Sequence, residues 1–345
     1  MKAIQIILFQ AKKQKVKDLC DHLSKSIETG EPFYKVAAKL PKIFTVFDVA
    51  ILEMWDATGQ IGRSFEIIAT KEEREADLSR KIKAALIYPM TIVFVAVSMV
   101  TVIMTYVVPK IEGMYREANV NLPGITQWLI DVSHFIQNNL LLLVILIGWG
   151  IIGGMYALKN RIARKWFDAN ILKIFLFGNI IKKQVLITFC EFLSTLLNSG
   201  ILINKALLIV KNGIGNVYYE DEIMQIIEEI KAGKTLSSTM WSDLIERQSG
   251  DLSAPENKAA LELAIRRNDF FPIELWTAVK IGEQTGTLGK MLDRVSARYN
   301  KEVDGVIKNL SAMLEPIIIM VLGVVVGTMI LAIMLPFFNM VNVVK

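Results

Sequence analysis

Cysteine and histidine are almost missing from this chain, with two of each in 345 residues. Cys20 and Cys190 are too few for a disulfide framework. Cys20 and His22 are too close in sequence, without a second cysteine or histidine near them, to be expected as a zinc site. His22 and His134 fall on opposite sides of a membrane in the topology below and cannot share a site. A phosphate-binding loop is lacking too. Gly233-Lys234-Thr235 ends like one, but five residues before Gly233 stands Glu228, where that motif needs glycine. Neither sign of charge dominates, with 39 Lys+Arg against 34 Asp+Glu and a net charge of +5. Nucleic acid is therefore not an expected partner. No catalytic set, metal site or cofactor motif is expected, and the chain does not read as an enzyme. Sustained period-two alternation is also absent, so strands are not expected.

Charge is missing altogether from three long runs: Ala84–Pro109, Leu140–Leu158 and Pro316–Val344. The first and third can cross about 30 Å of hydrocarbon as helices, and the second is just long enough. Hydrophobic residues make up 53% of the chain, and its mean hydropathy is +0.42, above what soluble proteins carry. Basic residues close to the runs give the orientation. Lys71, Arg74, Arg80, Lys81 and Lys83 precede the first; Lys159, Arg161, Arg164, Lys165 and Lys173 follow the second. The intervening stretch has only Lys110 and Arg116. The expected order is a cytoplasmic domain (1–85), a span (86–108), a periplasmic loop (109–139) and a span (140–158). A second cytoplasmic domain (159–313), a span (314–336) and a short periplasmic tail (337–345) follow. Ile4–Phe9 is too short to span, and Lys12, Lys13, Lys15 and Lys17 follow it, the reverse of a cleaved secretory signal.

The cytoplasmic parts have helical texture. Val16, Leu19, Leu23 and Ile27 form one stripe before Gly30. Phe33, Val36, Ala37 and Leu40 suggest a short helix before Pro41. Others run from about Phe44 to Asp56 and from about Gly62 onward. Later, Phe189, Phe192, Leu193, Leu196 and Leu197 lead to Gly200, and Ile223, Ile226, Ile227 and Ile230 lead to Gly233. The first domain is small and needs a partner surface to bury its stripes. Residues 248–257 read as a polar loop. Within span one, Thr91, Ser98, Thr101 and Thr105 are expected to hydrogen-bond to another helix.

Part of the chain occurs twice. Placing residue n beside n+227 pairs Phe44 with Phe271, Asp56 with Glu283, and Thr58-Gly59 with Thr285-Gly286. It also pairs Gly62 with Gly289, Glu75 with Glu302, Pro89 with Pro316 and Pro109 with Pro336. Upstream, Gly30 and Phe33 match Gly233 and Leu236, or else Leu23-Ser24 to Gly30 matches Leu193-Ser194 to Gly200. The first glycine of each turn can close a helix in the left-handed conformation, and the second lets helices approach. The threonine can cap the next helix. The carboxylate has acceptors for amides freed at the turn. Pro89, placed near the start of a helix, has no amide to lose there. Glu315, at the membrane edge, has no counterpart in the first copy. Gly150-x-x-x-Gly154 and Gly323-x-x-x-Gly327 permit close helix packing, inside the chain or between copies.

The whole reads as an all-α polytopic membrane protein with three transmembrane helices and two duplicated cytoplasmic helical-bundle domains. Gly282-Glu283-Gln284-Thr285-Gly286-Thr287-Leu288, Leu314-Glu315-Pro316-Ile317, Gly323 to Gly327 and Leu335-Pro336, in that order, resemble the type II secretion F family. The resemblance extends more loosely over the rest of the chain. Trp55-Asp56 and Tyr88 depart from it, and the short first domain is closer to type IVb pilus members. The resemblance implies a non-catalytic, homo-oligomeric platform in the bacterial inner membrane. It implies three kinds of partner: a hexameric assembly ATPase on the cytoplasmic face, pilin or pseudopilin subunits, and other inner-membrane assembly proteins. A transporter or channel is the alternative, although the first and third runs lack the ionisable side chains transporters place in their spans. A membrane anchor for a soluble enzyme would not need the repeat.

Overall fold

The computed structural model describes residues 6, 8–11, 14–28, 30–56, 61–117, 124–157, 160–174, 177–240 and 270–343. Every regular element among them is helical. In chain order these are α1 (Gln14–Glu28), α2 (Phe33–Ala38), α3 (Val46–Asp56), α4 (Ile61–Val102), α5 (Val108–Glu117), α6 (Gly124–Ala157) and α7 (Arg161–Ile171). They continue with α8 (Phe177–Asn198), α9 (Ile203–Gly213), α10 (Val217–Lys231), α11 (Leu236–Met240), α12 (Ile273–Thr285) and α13 (Leu288–Val343). A π turn, Ile103–Val107, joins α4 to α5. The chain divides into two compact units: residues 1–76 with 164–303, and residues 77–163 with 304–345.

The first unit is a helical bundle whose core is the set of apolar stripes seen in the sequence. Phe189, Leu193 and Leu196 of α8, Leu207 and Val210 of α9, and Ile223 and Ile226 of α10 are fully buried. Leu275 and Val279 of α12 join them. Spacings of three and four residues put each set on one helix face, which is why these segments are helices here. Gly30, Gly200 and Gly233, with φ of 75°, 84° and 93°, end three of the runs in the left-handed region. A side chain would be strained there.

The N-terminal helices pack onto this bundle. Phe47 of α3 stacks on Phe192 of α8, with ring centroids 3.7 Å apart and planes within 12°. Leu23, Phe33, Val36, Ala37 and Leu52 make a small cluster of their own. Beside the stacked rings lies Asp48, 1% exposed. Its carboxylate accepts from the Thr45 amide at 2.7 Å, and the Thr45 hydroxyl accepts from the Asp48 amide at 3.3 Å, the reciprocal bonding of a capping box. Lys71 of α4 reaches the same carboxylate at 3.1 Å, a pairing a buried charge requires. Burial opposes the charge on Lys71, but Asp48 together with Glu72 and Glu75 outweighs it and holds the ammonium above its ordinary value.

Two helical stretches, Ile61–Gly113 and Leu288–Leu335, are long and apolar enough to cross a membrane. Apolar side chains such as Met90, Phe94, Met320 and Val321 are exposed along them. A core of Met104, Val108, Ile130, Met329 and Ala332 ties the π turn, α5, α6 and α13 together.

Residues 109–139, expected as a loop, are mostly helix: α5 covers the first part and α6 begins at Gly124. The reason is packing, because Ile111 and Ile130 are buried there. The account expected for Pro89 is also wrong. It lies deep inside α4, which starts at Ile61, so its missing amide leaves a carbonyl without its backbone donor. The last helix also runs past 336, where the third span was expected to end, and continues to Val343.

Candidate functional site

The turn between α12 and α13 is closed by backbone geometry. Gly286 has φ 66° and ψ 18°, and the Thr287 amide donates to the Gly282 carbonyl at 2.8 Å. Such a left-handed closure satisfies carbonyls at a helix end. The helices then meet too closely for side chains at two places. A Cβ at Gly282 would lie 2.7 Å from Leu288 Cα, and one at Gly289 would lie 2.0 Å from Asn198 Oδ1.

From Gly289 one stripe of α13 is fastened to α8 by polar bonds. Asp293 accepts from Ser194 Oγ at 2.5 Å and from Asn198 Nδ2 at 3.2 Å. Glu191 accepts from Ser296 Oγ at 3.1 Å, from Asn300 Nδ2 at 3.1 Å and from Arg74 Nη1 at 2.7 Å. Glu302 pairs with Lys183 at 2.6 Å, whose hydrogen bond holds the Glu302 carboxyl below its usual range.

Glu283 does not serve its own turn. Its two carboxylate oxygens accept from the amides of Leu236 at 2.7 Å and Ser237 at 2.9 Å, the first two residues of α11. Trp276 Nε1 donates to the Ser237 carbonyl at 3.1 Å. Glu283 and Trp276 thus clamp α12 to the start of α11. Thr285 does not cap α13 either: its hydroxyl donates back to the Ile281 carbonyl at 2.7 Å and lies 2.7 Å from Thr287 Oγ1.

In the first copy, Asp56 closes α3 and is half-buried, while Thr58 and Gly59 lie outside the described residues. Gly62 stands in the first turn of α4, and among the described residues nothing lies within 4 Å of a Cβ added there, whereas the Asn198 side chain fills that space at Gly289.

In the second unit, three prolines coincide with hydroxyl bonds from other helices. Pro89 cannot donate to the carbonyl four residues back, and Ser311 Oγ of α13 donates to that carbonyl, Ala85, at 2.7 Å. Pro336 leaves Ala332, whose carbonyl accepts from Thr126 Oγ1 of α6 at 2.7 Å. At Pro109 the π turn shifts the register by one: the Val108 amide donates to Ile103, and Met104 is left with Ser133 Oγ of α6 at 2.7 Å. Thr126 and Ser133 are 2% and 1% exposed, so these bonds are shielded from water. Pro316 differs: it is exposed, as is Ala312 four residues back, and among the described residues no side chain donates to that carbonyl. Glu315 is exposed beside it.

The hydroxyls picked out within span one behave otherwise. Thr91, Ser98, Thr101 and Thr105 each donate to their own helix, to the carbonyls of Ile87, Phe94, Val97 and Thr101. Gly150, Gly154, Gly323 and Gly327 have no neighbour within 4 Å of an added Cβ, so these glycines are not where the described helices of one chain touch.

The sequence profile of the family described as "Type II secretion system (T2SS), protein F" matches residues 1–109 and again 189–336. The chain belongs to the type II secretion protein F family. It is 28% identical over 350 residues to type IV pilus assembly protein TapC of Aeromonas hydrophila, covering 99% of this chain and 76% of that one. It is 27% identical to type IV pilus assembly protein PilC of Pseudomonas aeruginosa, over 95% and 82% of the two chains. Type II secretion system protein F of the same organism is 23% identical, over 98% and 77%. In this protein F relative Glu283, Gly286 and Gly289 thus belong to a clamped turn, and Pro89, Pro109 and Pro336 coincide with hydroxyl bonds. Ser311, Ser133, Thr126, Asn198 and Asp293 escaped the sequence reading because their partners are distant in the chain. A proline inside a long apolar helix was the signal that could have prompted a search for them.

Proposed function

We propose that this family member is an inner-membrane platform of a type IV pilus or type II secretion machine. It couples a cytoplasmic hexameric ATPase to the extraction and assembly of pilin-like subunits. The chain crosses the bacterial inner membrane three times, with its N-terminus in the cytoplasm and its C-terminus in the periplasm. Its two cytoplasmic segments are a reduced and a full copy of one helical domain, and it works as a homo-oligomer beside other inner-membrane assembly proteins. The observation that carries the reading is the paired family match, each half ending in a long proline-bearing helix. Support also comes from α13, which continues from the clamped turn through the apolar run as one helix of 56 residues, about 84 Å at ~1.5 Å per residue. Force applied to the cytoplasmic bundle would reach the membrane along such helices, with Gly286 fixing where each stroke begins.

The test is purification of the protein from native membranes with its neighbours. A hexameric ATPase and pilin-like subunits are expected with it, and their absence under mild detergent overturns the reading. Periplasm-dependent reporters are expected to be active at 125 and 345 and silent at 60 and 230. Solute flux across vesicles holding the protein alone would instead favour a transporter.

A further inference from the structure

Helix α7 is amphipathic, and its faces are turned the unusual way round. No residue of its 11 is buried. Its charged face is bonded to the bundle: Arg164 Nη2 donates to the Gly215 carbonyl at 3.1 Å, and Lys165 pairs with Asp221 at 2.5 Å. Asp168 accepts from the Val217 amide at 2.9 Å, which fixes α7 to the first turn of α10. The opposite face carries Ile162, Trp166 and Phe167, exposed by 80%, 70% and 43%. Residues four apart on a helix lie within about 40° of one another, so Ile162 and Trp166 make one apolar ridge. A surface helix of a soluble bundle turns its apolar stripe inward and its charges to water. Here the charges point in and the indole points out.

What covers that ridge is indicated by the chain on either side. Helix α6 ends at Ala157, three residues before α7 begins, and its Leu142, Ile145, Leu146 and Trp149 are exposed apolar side chains. Exposed Lys173 and Ile174 follow α7. A tryptophan-bearing apolar face with basic residues close by, directly after an apolar helix, is the pattern of helices that lie in the membrane–water boundary. We propose that α7 is an in-plane interfacial helix, with Ile162, Trp166 and Phe167 inserted among the lipid headgroups and upper acyl chains. Through Arg164, Lys165 and Asp168 it would then hold the start of α10 at the membrane surface. The inference rests on the reading that α6 crosses the membrane.

The experiment uses the full chain in vesicles of mixed zwitterionic and anionic phospholipid. Trp55, Trp128, Trp149, Trp241 and Trp276 are replaced by Phe, leaving Trp166 as the reporter. An apolar face buried about 5–10 Å puts the indole near the headgroups. Lipids brominated high on the acyl chain are therefore expected to quench Trp166 at least about twofold more than lipids brominated near its end. Ready quenching by aqueous iodide with no effect of bromolipid overturns the proposal. So does protection from both quenchers, which would mean a protein partner or a second copy covers the ridge. A bimane on Ile162→Cys repeats the measurement without touching the tryptophans, since native Cys20 and Cys190 are buried. The same label on Leu146→Cys separates the two readings. Deep-bromolipid quenching there without quenching at residue 162 overturns the interfacial placement alone. No quenching at residue 146 overturns the spanning reading and the proposal with it.

Discussion

Replacing Ser311 by Ala removes the hydroxyl that serves the Ala85 carbonyl at 2.7 Å, and what this costs depends on Pro89. With proline in place, the carbonyl loses its side-chain donor and has no backbone one. Ser311 is half-buried at the edge of the apolar run. Hydrogen bonds between membrane helices average ~0.6 kcal/mol and reach ~1.7, and a stranded buried acceptor costs about 1–3 kcal/mol. A loss of about 1 kcal/mol is expected. In a Pro89→Ala background the residue 89 amide can return to Ala85, and Ser311→Ala should then cost close to nothing. The two changes are thus coupled by about 1 kcal/mol, within the range double-mutant cycles resolve. Reversible unfolding in mixed micelles with rising dodecyl sulfate gives all four corners of the cycle. An equal cost of Ser311→Ala in both backgrounds refutes the idea that the hydroxyl substitutes for the missing amide.

Glu283→Ala should destabilise the first unit by about 2 kcal/mol, from two charge-assisted bonds of ~1.5 kcal/mol each partly replaced by water. In a bundle of this size that lowers the melting midpoint by about 4–8 °C. Glu283→Gln should lose about half as much, and a midpoint shift no larger than that of Gln284→Ala would be evidence against the clamp. Gly286→Val forces a β-branched residue into the left-handed region at a cost of at least ~1–2 kcal/mol. Fibre assembly or secretion should fail while membrane insertion, read by fractionation, persists. The carboxyl of Glu75 is pushed above its ordinary value by burial, with Glu72, Asp48 and Glu191 adding to the effect and Lys71 opposing it. A raised folded value favours the fold below the usual carboxylate range, and that contribution disappears as pH rises through the folded value. Glu75→Gln should therefore raise the melting midpoint at neutral pH, and the gain should shrink on acidification towards about pH 4.

Which parts of this molecule were legible in the sequence follows from the range of the interaction behind each feature. The stripe of Phe189, Leu193 and Leu196 is a local period, and Gly200, Gly233 and Gly286 are local conformations. All could be read from neighbours alone. The two long apolar helices were equally plain, since absence of charge needs no partner to interpret. Glu283 stands in the last turn of its helix, but its bonds go to Leu236 and Ser237, 47 and 46 positions away. Its role comes from packing that no local pattern encodes. Thr285 and the hydroxyls of span one were assigned outward bonds, yet in a helix the carbonyl four residues back is always within reach. The placing of Pro89 depends on range in the same way. The charged run before the membrane and the apolar run within it form one helix, which puts the proline in its interior instead of its first turn.

The stacking of Phe47 on Phe192 has a consequence for biosynthesis. The ring that covers Phe47 is encoded 145 positions later, by subtraction of the two residue numbers. At ~5–20 residues per second, about 7–29 s pass after Phe47 is made before its partner exists. Throughout that interval the N-terminal helices must be held without their neighbour while the first apolar helix is already being delivered to the membrane. Whatever protects nascent apolar surface in the cell must cover α3 at least until α8 arrives.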